Sequence, residues 1–278
     1  MPESDKKIKH FIFMRFFPTQ IPEYPYDVLD MNFLFSQLVL AKNNALKSLE
    51  NQTNKNFEVI FLVHEKFLSD AKYKFIFSTL KKSTSLPIKF IRVAEQAHLI
   101  GAALEEYDFV IQSRMDFDDF IFKDAITDTQ SKIDACDKVL AYGYCSGFEY
   151  INGELYINKF LCNGTGHISI LQSLVLKSSF AKELPPMTAY YSNHTKVKLK
   201  LKKILEENGC AFSEDMFQQN TSTLAYIYFR HEFSLDQLRT LDNTRFLTAD
   251  KLRLTGNDTL KQWLQDNFCF HYELNSIH

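Results

Sequence analysis

DFVIQSRMDFDDFIFKD, residues 108–124, joins an apolar run to a burst of negative charge. Phe109, Val110 and Ile111 read as a buried strand. The run ends in Arg114 and then in three carboxylates within four positions, Asp116, Asp118 and Asp119. Aspartate is depleted in strands, and like charges at such spacing repel. The cluster therefore marks a strand end that needs compensation, and a bound cation is the obvious source.

Working back toward the N-terminus, the same strand type recurs with helices between. KHFIFMRFF (9–17) is an apolar run stopped by Pro18, and FEVIFLVHE (57–65) is a second strand with the continuous apolar character of a strand covered on both faces. Between them, Leu34, Leu38, Ala41, Ala45 and Leu49 recur at helical spacing over residues 32–50. A helix over 66–82 precedes Pro87, IKFIRV is a third strand, and 95–106 reads as a helix leading into the quoted stretch. Four strands alternate with three helices, which predicts an α/β fold with a mainly parallel sheet and ligands beyond the carboxyl ends of its strands. The acidic cluster lies at such an end.

The C-terminal half is less regular. KVLAYGYCSGFEYINGELYINKFLC predicts two strands about a turn at Asn152-Gly153, a hairpin. A helix ends near Gly209, TLAYIYFRHE is a late strand, and the tail from 234 reads as helical. With 278 residues, 45% hydrophobic and 24% charged, the chain has the composition of a soluble globular protein with a substantial core. The formal charge of -2 gives no global field favouring nucleic acid. Most of the 26 phenylalanines fall in periodic segments and read as core. Five cysteines without a C-x-x-C pair predict free thiols in a reducing cytoplasm. No apolar run reaches the ~20 residues of a membrane span, and the polar N-terminus is no signal peptide.

Carboxylates at the end of a parallel strand suit magnesium or manganese, held by Asp118 with Asp116 or Asp119 and completed by substrate phosphates. The plainer alternative is a solvated acidic turn. KVKLKLKK (196–203) places Lys196, Lys198, Lys200, Lys202 and Lys203 within eight positions. That run is either the solvated face of a helix or a contact for an anionic membrane or phosphorylated glycan. A phosphatase using D-x-D at its first strand does not match a motif on a fourth strand. A glycoside hydrolase using Glu214 or Asp215 leaves the α/β half unexplained. Neither a nucleophile elbow nor a Walker loop is present.

Four segments, in order, resemble glycosyltransferases of the GT-A fold, the family-2 group and especially the related rhamnosyltransferase family. They are ALKSLENQTNKNFEVIFLV (45–63), SRMDFDDFI (113–121), NGTGHISILQSLVLKSSF (163–180) and FSEDMF (212–217). The MRF of the first strand and YFRHE near the end are similar to the rhamnosyltransferase branch. One departure is HEKFLSD after the second strand, where many family-2 enzymes carry an Asp-rich turn for the nucleotide base.

The resemblance implies a GT-A domain over 8–233, with a nucleotide-sugar half (8–120), an acceptor half (121–233) and a C-terminal helical extension (234–278). It implies a metal-dependent, inverting transfer from a nucleoside-diphosphate sugar to a glycan or lipid-linked glycan, in cell-surface polysaccharide synthesis. Asp118 would hold Mn2+ or Mg2+, supported by Asp119; His231, beside Arg230 after a strand, reads as a third metal ligand, a phosphate contact or a structural histidine. Asp116 would meet the donor's ribose or base, Arg15 and Arg114 would orient its diphosphate or simply neutralise the carboxylates, and Asp215 or Glu214 would act as base, Asp215 favoured. Glu214-Asp215 also reads as the start of a helix capped by Ser213. The corresponding location is cytoplasmic, with peripheral contact at the inner face of the membrane. The alternative function is a nucleotide-sugar or glycan-binding protein of the same fold without turnover.

Overall fold

The computed structural model describes residues 6–19, 26–151, 154–159, 171–188, 196–230, 250–252 and 257–271. Strand β1 (Ile8–Phe16) is followed by helix α1 (Met31–Ala41), a π-helical turn (Lys42–Leu46) and α2 (Lys47–Glu50). Next come β2 (Glu58–Val63), α3 (Glu65–Ser69), α4 (Ala71–Lys82), β3 (Ile88–Ile91), α5 (Gln96–Glu106) and β4 (Phe109–Asp116). The second half adds β5 (Phe120–Ile121), α6 (Ala125–Ser131), β6 (Val139–Ile151), β7 (Glu154–Lys159) and β8 (Gln172–Lys177). It continues through α7 (Ser178–Ala181), α8 (Val197–Glu207), β9 (Phe217–Arg230), β10 (Asp250–Leu252) and α9 (Asp258–Phe268).

The first four strands lie in the order β3-β2-β1-β4, all parallel. Beyond β4 the sheet becomes mixed: β8 is antiparallel to both β4 and β6, β7 is antiparallel to β6, and β9 runs parallel to β6 with register shifts. The α/β class and its parallel half are as the alternation predicts. The β6–β7 pairing is the expected hairpin, its turn at 152–153 lying outside the described residues.

Helices cover both faces. Phe33, Leu34 and Leu38 of α1, Phe67 of α3, Phe77 of α4 and Ile126 of α6 bury one face of β1, β2 and β4. Ile100 and Leu104 of α5, with Val197, Leu201 and Leu205 of α8, bury the other against Phe11, Phe13 and Leu62. This double coverage explains why β2 is buried at all six positions. The expected single helix over 66–82 is two, because Asp70 is extended and its carboxylate accepts the Lys72 N–H, starting α4 afresh.

The tail is not solely helical. β10 pairs with β7, and Leu264, Phe268 and Phe270 complete a third core with Phe120, Phe148, Tyr150 and Phe229. Cys136, Cys210 and Cys269 are free, but Cys145 is disulfide-bonded, its partner outside the described residues. The expectation of free thiols fails there, because cysteine spacing along a chain does not reveal which side chains meet after folding. No described helix is long and apolar enough to cross a membrane.

Candidate functional site at the carboxyl ends of the parallel strands

Because β1 to β4 are parallel, their carboxyl ends share one edge. Arg15 of β1 is the register partner of both Asp116 of β4 and Leu62 of β2, and Leu62 is that of Ile91. The edge is therefore formed by Arg15, His64 immediately after β2, Arg92 after β3, and Asp116. Arg15 Nη2 stands 3.8 Å from Asp116 Oδ1, with both side chains partly exposed. Such a partly exposed pair contributes at most ~1 kcal/mol. His64 caps α3, its Nδ1 accepting the Lys66 N–H at 3.2 Å.

Phe117, between the two acids, is an anchor. Its ring lies 5.0 Å from that of Phe16 and 5.6 Å from that of Phe17. Phe17 holds a left-handed backbone (φ 49°), a conformation costly for a bulky residue, and is packed edge-on against Phe16 and Phe33. Aromatic packing thus fixes the chain at the point where Asp116 and Asp118 emerge, both half-buried.

The segment is secured from a second direction. Asn44 Nδ2 donates to the Asp118 carbonyl at 2.8 Å, and Asn44 is itself buried. It lies in the π-helical turn between α1 and α2, where the local widening interrupts an otherwise apolar helix. Sequence reasoning missed Asn44; the signal available was an Asn-Asn pair inside an amphipathic repeat.

Asp119 has different surroundings. It is fully buried, and its Oδ1 accepts the Phe229 N–H of β9 at 3.1 Å. Oδ2 has no hydrogen-bond partner among the described residues. Burial, followed by the charges of Asp118 and Asp116, pushes its carboxyl well above the ordinary aspartate range. These features make Asp119 a link between the acidic segment and β9.

Arg114 is buried one alternation before Asp116, between its register partners Phe13 and Gln172. It brings positive charge beneath the same edge. His231 lies outside the described residues.

Glu214 and Asp215 are not brought to this edge. They form a 3-10 turn entering β9, whose Phe217 is level with Ala141, which is level with Leu174 and hence with Gln112 of β4. Phe217, where β9 begins, is thus four positions short of Asp116 along the strand direction, roughly 13 Å at the usual rise, and the turn carrying Asp215 comes before it. Both are exposed, Glu214 pairing with Lys198 at 2.5 Å and Asp215 accepting from Ser213 Oγ. The Ser213 hydroxyl is therefore spent on Asp215 instead of capping the turn.

Among the described residues, no three His, Cys, Asp or Glu side chains converge so as to hold a metal ion. What the edge offers a divalent ion is the half-buried Asp118 carboxylate, with Asp116 beside it. Magnesium often needs no more protein than that when substrate phosphates complete its shell. The donor set fits an ion arriving with a phosphate ligand and does not fit a self-sufficient metal cage.

No protein-family model matches the chain, and no curated protein matches its sequence. Among solved structures, it is similar to Staphylococcus aureus TarS, at 14% identity and a TM-score of 0.39 over 94% of this chain, spanning 43% of that one. Against TarS 1–349 in complex with UDP, the values are 16% identity and a TM-score of 0.39, covering 93% of this chain and 71% of the other. A proposed nucleotide-diphospho-sugar transferase from Desulfovibrio desulfuricans G20 is 12% identical with a TM-score of 0.43, covering 92% of this chain and 96% of that one. These are distant likenesses of chain path.

Proposed function

We propose that the chain is a glycosyltransferase moving a sugar, rhamnose by the sequence resemblance, from a nucleoside-diphosphate donor to a glycan or lipid-linked glycan hydroxyl in cell-surface polysaccharide synthesis. One observation carries the reading: Asp116 and Asp118 flank an anchored Phe117 at the shared carboxyl edge of four parallel strands, with Arg15 alongside. Ligands of open α/β sheets bind beyond that edge. Arg15 would orient the donor diphosphate and Arg114 would supply positive charge from below. Asp118 would hold Mn2+ or Mg2+ together with the phosphates, and a bound ion there supplies charge stabilisation to the departing diphosphate. Asn44 and the Phe16–Phe117 contact would hold the Asp118 backbone in place before the donor arrives.

A second reading, a nucleotide-sugar-binding protein without turnover, is favoured by the separation of Glu214 and Asp215 from this edge. The transferase reading takes no base from that pair. Calorimetric titration with nucleoside diphosphates and their sugars, with and without Mn2+, tests both readings. Binding that needs metal and is lost in Asp118→Asn supports the site; no binding of any nucleotide refutes it. Binding to the wild-type protein without sugar transfer or donor hydrolysis would select the second reading.

A further inference from the structure

Helix α8 presents an outward face that its own packing does not explain. Val197, Leu201 and Leu205 are fully buried in the core shared with α5, which fixes the orientation of the helix. At ~100° per residue, Leu199 then lies opposite that stripe, among Lys196, Lys202 and Lys203, with Glu206 two turns further along the same face. Leu199 is 59% exposed. Lys200 flanks the same surface, and Lys198 is tied to Glu214 at 2.5 Å.

The charges are arranged against the helix's local preference. Lysines occupy the N-cap and first turns, whereas Glu206 and Glu207 occupy the last. The macrodipole favours the reverse order. Lys196 caps the helix without a side-chain hydrogen bond. Two i,i+4 pairs, Lys202–Glu206 at 3.8 Å and Lys203–Glu207 at 3.5 Å, are solvent-exposed and weak. Lys196 and Lys200 have no ion pair among the described residues. The positive end of the helix and its lysines thus converge on one surface, with an exposed leucine at its centre.

We propose that this face of α8 docks on an anionic lipid bilayer, the lysines meeting headgroup phosphates and Leu199 entering the boundary with the acyl chains. A phosphorylated glycan would use the lysines but leave Leu199 without a role. The proposal does not depend on the transferase reading.

The test is flotation of the full chain with vesicles of phosphatidylcholine alone, or with a third of the lipid replaced by phosphatidylglycerol. The protein should float only with the anionic vesicles and be released by salt. Each of Lys196→Gln and Lys200→Gln should lower partitioning about fivefold, following from the contribution of one lysine near such a surface. Leu199→Ser should also lower it while leaving the salt dependence unchanged. All three positions are exposed, so the melting temperatures should stay near wild type. Absence of anionic-vesicle binding, equal binding to neutral vesicles, or wild-type binding by the double lysine variant would overturn the proposal. Loss on lysine replacement with none in Leu199→Ser would also overturn it, leaving a soluble polyanion as the ligand.

Discussion

His10 lies in the interior of β1 and should make the protein's stability depend on pH in a calculable way. Its Nε2 is 2.8 Å from Ser113 Oγ, and its Nδ1 is 3.2 Å from Gln130 Nε2. Gln130 is itself oriented on both sides: Nε2 donates to the Asn56 carbonyl at 2.7 Å, and Oε1 accepts from Asn54 Nδ2 at 2.9 Å. Gln130 therefore donates to Nδ1, and the single ring proton sits on Nε2. From there the chain continues through Ser113 Oγ to Ser173 Oγ at 2.6 Å, and from Ser173 to the Leu171 carbonyl at 3.3 Å. A second ring proton would face a donor, inside a site where burial lowers the imidazole pKa to about 3.

The unfolded chain, with an ordinary histidine pKa near 6.5, takes up that proton as the pH falls while the folded state does not. This contribution is therefore present above about pH 6.5 and is lost progressively as the pH drops toward the folded value. Between pH 7 and 5 it amounts to about 2 kcal/mol. His10→Gln abolishes the titration; it should also lower stability at pH 7 by ~1–3 kcal/mol, because the Gln130 donor loses its acceptor. The assay is urea unfolding of both proteins across pH 5–7, taking the difference in slope so that all other titrating groups cancel. Equal pH slopes in wild type and variant would refute the neutral, singly protonated histidine.

Phe268→Ala should cost ~3–5 kcal/mol by chemical denaturation, because Phe268 is fully buried among Phe122, Phe148 and Leu264; a cost below ~1 kcal/mol would detach the C-terminal helix from the core. Asn44→Leu removes the donor to the Asp118 carbonyl and should cost ~1–3 kcal/mol, with weaker metal-dependent nucleotide binding. Unchanged nucleotide affinity would show that the π-helical turn does not position Asp118. Asp215→Asn should leave nucleotide affinity and any transfer rate within a few-fold of wild type, since the sheet register sets it at the other end of the strands. A loss of the ~10²–10⁴-fold typical of a missing general base would contradict that placement.

The parallel half of the sheet was legible because strands buried on both faces write continuous apolar runs, as in EVIFLV of β2, where every residue is buried. β8 was not read as a strand. Gln172 and Ser173 open it with polar side chains, and these are tolerated inside only because neighbouring strands meet them, as Ser113 meets Ser173. The break at Asp70 is a capping choice that apolar periodicity does not record. Glu214 and Asp215 were placed by their order along the chain, whereas the β6–β9 register decides where they lie in space.

The acidic segment shows the same limit at the scale of one residue. Asp118 and Asp119 are chemically identical neighbours, and composition treats them alike. β4 ends at Asp116 and the chain then turns, the Asp119 N–H facing the Asp116 carbonyl at 3.5 Å. Phe117 packs against Phe16 and Phe17, and just past the turn Asp119 is buried and accepts the Phe229 N–H. Inside a turn the alternation of a strand no longer applies, so D-F-D-D does not itself say which carboxylate goes inward. What no local pattern supplied was β9, the distant strand whose backbone makes a buried carboxyl at that position tolerable.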